Sequence, residues 1–124
     1  MKVYMSRVTE ALEELSSREQ QLILWTGRGD GKKISSFVEA SCSLFDDSGL
    51  GDLLQNEPGA FNAELRALFM ELNTALHQID QNEDADIIIQ SREMKRVREL
   101  ATRALKDCSA LAPLDFIVDT KDEP

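Results

Sequence analysis

The chain has 124 residues, 42% of them apolar and 30% charged, which suits one globular domain with a single core and excludes a disordered polymer. Acidic residues outnumber basic ones by 23 to 14, for a net charge of -9. That field disfavours nucleic acid and anionic membranes as partners and favours a basic protein. No segment approaches the run of about 18 apolar residues that crosses a bilayer.

The opening residues, MKVYMSRVTEALEEL, are charged and helical and lack the apolar core of a secretory signal, so a cytoplasmic protein is expected. Val8, Ala11, Leu12 and Leu15 form a helical stripe that falters at Ser16 and Ser17. Ser16 with Glu19, or Ser17 with Gln20, has the spacing of a capping box, predicting a second short helix with Leu22, Ile23 and Trp25. A continuous helix to Trp25 is the alternative.

After the turn GRGDGKK, Ser36 and Glu39 predict another helix start, followed by Phe37, Val38, Cys42, Leu44 and Phe45. This helix stops at Asp46-Asp47-Ser48-Gly49, and a short helical turn through Asp52, Leu53 and Leu54 follows. Asn56-Glu57-Pro58-Gly59 breaks the chain again. Next comes the strongest periodicity, Phe61, Leu65, Leu68, Phe69, Leu72, Leu76 and Ile79. Its opposite side, Ala63, Ala67, Met70 and Thr74, is smooth, as in a central helix or one that touches a second chain. The loop QIDQNEDAD leads to a last long helix with a stripe of Met94, Val97, Ala101, Leu105 and Cys108, ended by Pro113. No alternating strand pattern or solenoid repeat is present. The fold class expected is all-α: a single-domain antiparallel helical bundle of four to six helices over 1–113, with an acidic tail over 114–124.

Several local motifs invite a chemical reading. Residues 25–34, WTGRGDGKKI, contain the adhesion tripeptide Arg28-Gly29-Asp30 and resemble a phosphate loop. The glycine spacing is one residue short for that loop, Lys33-Ile34 follows Lys32 where Ser or Thr is needed, and a helix precedes instead of a strand. Gly27 is better explained as the left-handed residue past a helix end. Asp80, Asn82, Asp84 and Asp86 imitate the start of a calcium loop, but Ala85 replaces its glycine and Ser91 its bidentate glutamate.

Six of the 14 bases lie between Arg92 and Lys106, and Arg92, Lys95, Arg96, Arg103 and Lys106 share one helix face. Glu99 is spaced to pair with Lys95 and Arg103, and no aromatic residue interleaves the stripe, so a solvated face is expected rather than a nucleic-acid site. Catalysis has little to stand on. His77 has no evident partner, one His with two distant Cys is a poor zinc set, and acidic neighbours raise the pKa of Cys42. No cofactor, metal or enzymatic activity is expected. Cys42 and Cys108 read as reduced core residues, with a bridge between them left open.

The acids remain. Asp46, Asp47, Asp52 and Glu57 stand in a stretch without a base, and Asp80, Glu83, Asp84 and Asp86 form a second group. Both are candidate contacts for a basic protein. The stretches FDDSGLGDLL (45–54) and REMKRVRELATRAL (92–105) resemble small bacterial immunity proteins, the cytoplasmic partners of polymorphic or contact-dependent-inhibition toxins. That resemblance implies neutralisation by occlusion of a cationic toxin domain, often a nuclease, through an acidic surface that mimics its substrate. The rival expectations are a homo-oligomeric helical scaffold or regulatory subunit using the Ala63, Ala67, Met70, Thr74 face, and a divalent-ion sensor built on residues 80–91.

Overall fold

Ser17 breaks the first apolar stripe because its side chain is used by the backbone. In a computed structural model of the protein, which describes residues 3–28, 31–57, 59 and 61–109, its hydroxyl accepts the amide of Gln20 at 3.1 Å. Helix α1 (Met5–Ser16) therefore ends there and α2 (Arg18–Thr26) begins. Next come α3 (Phe37–Cys42), a π-helical turn (Ser43–Asp47), α4 (Leu50–Asn56) and α5 (Ala63–His77). Last are α6 (Ala85–Gln90) and α7 (Arg92–Ser109). The described residues contain no strand, and the protein is all-α in one small domain. Only α1, α2, α5 and α7 are long; the rest are one or two turns. The expected tail over 114–124 and the stop at Pro113 lie outside the described residues.

Helix α7 is the centre of the bundle, packed chiefly on α1 and α5. Two-sided packing widens its buried stripe: Leu100 and Ala104 join Met94, Val97, Ala101 and Cys108, while Leu105 is only partly buried. The smooth face of α5 is not the central one, since Ala63, Ala67, Met70 and Thr74 are all exposed. The apolar face of α5 is buried as its periodicity requires, with Phe61 and Phe69 in ring contact at 5.4 Å.

Two helices differ from the expected core. In α2 the inward positions are Gln21 and Trp25; Ile23 lies about 200° around from both and is exposed. In the α3 region the buried residues are Phe37, Ala40 and Leu44, with Cys42 and Phe45 half-buried and Val38 exposed. Gln21 is fully buried, and polar groups stay inside only when their hydrogen bonds are made. Its Nε2 donates to the carbonyls of Glu14 and Leu15 at 3.0 and 2.9 Å, and its Oε1 accepts from Arg98 Nη1 at 3.0 Å. The same Arg98 nitrogen reaches the Ile89 carbonyl, so one polar node ties α1, α2, α6 and α7 together. A second node forms where Trp25 Nε1 and the Ser35 hydroxyl both donate to Glu14 Oε2, at 2.7 and 2.8 Å.

Candidate partner-binding surface

The first acidic group sits on a reversal that the local sequence builds. The Ser36 hydroxyl accepts the Glu39 amide at 3.1 Å and starts α3, which loosens into the π-helical turn. At Ser48 the chain turns inward. Its buried hydroxyl donates to the Leu44 carbonyl and accepts the Leu50 amide, while its carbonyl takes the Tyr4 amide at 2.9 Å. Gly49 then reverses direction at φ 85°, where side chains are disfavoured. Gly51 lets α4 lie on the turn, because a Cβ there would stand 2.9 Å from the Phe45 carbonyl oxygen. Asp46, Asp47 and Asp52 are consequently held outward on this corner, all exposed.

Two grooves meet at that corner. The first, of about 460 Å³, runs between α3 with the π-helical turn and the end of α5, with Asp46 and Asp80 among its lining residues. The second, of about 660 Å³, has Asp46 and Asp52 on it together with Gln55, Arg66, Met70 and Asn73. Asp46 thus belongs to both. Arg66 is turned to the backbone, donating through Nη2 to the Leu54 carbonyl at 2.6 Å. Asp47 and Glu57 are exposed but line neither groove.

The second acidic group is divided. Asp80 faces the first groove, and its Oδ1 accepts the Asn82 amide at 2.9 Å. Glu83 and Asp84 lie instead along a smaller groove that also contains Lys33 and Trp25. Asp86 is not in a loop. It sits in the first turn of α6, a helix that the sequence had merged into the loop, and pairs with Arg28 Nη2 at 2.8 Å. Asp46, Asp52 and Asp80 are therefore brought onto adjoining grooves, whereas Glu83, Asp84 and Asp86 stand near bases.

The remaining motifs resolve similarly. Gly27 adopts φ 76° at the end of α2, and its carbonyl accepts the Gly31 amide at 2.7 Å, closing a turn between helices. Gly29 and Asp30 lie outside the described residues. Ser91, in the place of the calcium-loop glutamate, caps α7: its hydroxyl accepts the Met94 amide and donates to the Ile88 carbonyl. Among the described residues, no three His, Cys, Asp or Glu side chains converge on a point where a metal ion would sit. On α7 the five bases of the stripe are exposed, but the pairing of Glu99 gives way to an ion pair from Arg96 to Glu71 of α5 at 3.0 Å.

Both cysteines are free thiols. Burial, then the charges of Asp46 and Asp47, then a hydrogen bond to Asp46 push the Cys42 thiol above its ordinary pKa. Burial, with a smaller contribution from Asp107, pushes Cys108 up to about 12. Neither is an activated nucleophile. Nothing in their spacing associates His77 and Cys42 with Asp46 and Asp80, yet all four line the first groove. His77 Nδ1 lies 2.8 Å from the Asn73 carbonyl one turn back in α5. Arg66 was likewise unmarked, because a single Arg on a helix gives no pattern. No helix among the described residues is long and apolar enough to cross a membrane. Searched against family models, curated proteins and solved structures, the chain matches none of them.

Proposed function

We propose that the chain is a non-catalytic binding module that captures a basic protein and occludes it, in the manner of a toxin-immunity protein. The observation that carries this reading is the position of Asp46 where two grooves adjoin, with Asp52 and Asp80 on either side of it. Carboxylates held outward on this corner attract a cationic surface from a distance. The net charge of -9 adds a long-range field of the same sign. An immunity-type partner would be a cationic toxin domain such as a nuclease.

The test is capture from the native lysate at low and high salt, with the Asp46→Asn/Asp47→Asn/Asp52→Asn variant alongside. A basic protein held by the wild type, released by salt and lost from the variant is the expected result. That protein, expressed alone, should arrest growth, and co-expression of the wild-type chain should relieve the arrest. Equal capture by wild type and variant sinks the acidic-surface reading, and a captured protein without toxicity sinks the immunity assignment.

One observation favours a second reading. Ala63, Ala67, Met70 and Thr74 form an exposed face on α5, with Met70 49% accessible. A homo-oligomeric scaffold would use that face. Sedimentation showing a salt-insensitive oligomer that Met70→Lys dissociates would select it.

A further inference from the structure

We propose that the groove between α3 and the end of α5 is the seat of the contact, and that it takes a partner segment in which one apolar side chain is flanked by Lys or Arg. This inference rests on the binding-module reading and specifies where and what it binds. The groove is neither a plain acidic patch nor a plain apolar one. Phe37, Val38, Phe45, Leu76 and Ile79 line it, and Asp46 and Asp80 stand on it from different elements. No Lys or Arg is among its described lining residues. Val38, an apolar residue 37% exposed at this position, has no core role that explains it.

An apolar side chain entering the groove would cover Val38, Phe45 and Ile79, and desolvation there would strengthen the attraction of flanking cations to the carboxylates. The chain's own tail has the wrong charge for this role. Its apolar run Leu114 to Val118 is interrupted by Asp115 and followed by Asp119, which Asp46 and Asp80 would repel. The complementary occupant is therefore a basic segment from another protein. Cys42 lies on the same groove, half-buried and free, and provides a local reporter of occupancy.

The probe is a fluorescein-labelled synthetic peptide with a central Phe flanked by Lys and Arg, compared with a version carrying Glu in place of the bases. Binding is read by anisotropy, and occupancy by the rate of Cys42 alkylation with iodoacetamide, resolved by mass spectrometry. Each variant is compared with and without peptide, since Asp46→Asn alters the resting reactivity of Cys42. Saturating basic peptide should slow Cys42 alkylation about tenfold. Asp46→Asn/Asp80→Asn should raise Kd about tenfold, whereas Glu13→Gln/Glu19→Gln, the same charge change at exposed positions off the groove, should raise it less than about twofold. Absence of binding, an unprotected Cys42, or equal weakening by the control pair would overturn the proposal. Val38→Gln separates the two levels of inference. Salt-sensitive capture of the native partner that survives Val38→Gln removes the groove and leaves the acidic-module reading standing; a wild type that captures no partner in a salt-sensitive manner removes both.

Discussion

Arg28 Nη2 stands 2.8 Å from Asp86 Oδ1, so the glycine-rich turn after α2 and the acidic segment before α7 hold one another. Two motifs that look like separate binding loops in the sequence are the halves of one contact. Both side chains are more than half exposed, at 59% and 51%, and water screens such a pair. A double-mutant cycle with Arg28→Ala and Asp86→Ala, read by urea unfolding, should give a coupling of about 0.5 kcal/mol. A coupling above about 2 kcal/mol would mean that the pair is far more desolvated than its exposure indicates.

The same contact bears on calcium. Asp86 occupies the seventh position of the imitation loop but lies in α6, and Ser91 at the twelfth caps α7. Millimolar calcium should leave the thermal midpoint unchanged. A rise of several degrees would revive the ion-sensor reading.

Gln21 and Arg98 form the polar node that joins α1, α2, α6 and α7. Removing the Gln21 side chain leaves the buried carbonyl of Leu15 and part of the Arg98 guanidinium without partners. Such losses cost the full desolvation of the abandoned groups. Gln21→Ala should destabilise by about 2–4 kcal/mol, measured as a shift in the urea midpoint at constant slope. A cost below about 1 kcal/mol would indicate that water enters and replaces the amide.

Gly51 offers a test whose sign is informative. In an open helix, Gly→Ala stabilises by about 1 kcal/mol. At Gly51 the new Cβ would meet the Phe45 carbonyl oxygen at 2.9 Å, a backbone atom that has little room to move. Gly51→Ala should therefore destabilise by about 1–3 kcal/mol. A stabilised variant would show that α4 does not lie so close on the π-helical turn.

Cys108 makes stability fall on the alkaline side. Its pKa is raised from 9.0 to about 12, so the folded protein keeps a proton that the unfolded chain releases. The contribution is fully present below pH 9.0 and is lost as pH rises from there towards about 12. Between pH 7 and pH 10 the wild type should lose about 1 kcal/mol more than Cys108→Ala does, by urea unfolding at each pH. Equal losses in the two proteins would place the thiol in a wetter environment.

What the sequence determined by itself was local. Ser17, Ser36 and Gly27 are start and stop signals because each serine hydroxyl meets an amide three residues on and the glycine accepts a left-handed backbone; no distant residue is involved. The apolar stripes of α1, α5 and α7 were legible for the same reason, since a helix face repeats within a few residues. Tertiary structure decided whatever depends on which faces meet. It buried Gln21 in preference to Ile23, and the Gln21 Oε1 found its donor only once Arg98 arrived from α7. It turned Asp86 towards Arg28 and set Asp80 on the same groove as Asp46, although neither pair is close in sequence. Side-chain chemistry and backbone propensity act over one or two helical turns, but a groove exists only between elements, and its charge follows from how those elements pack.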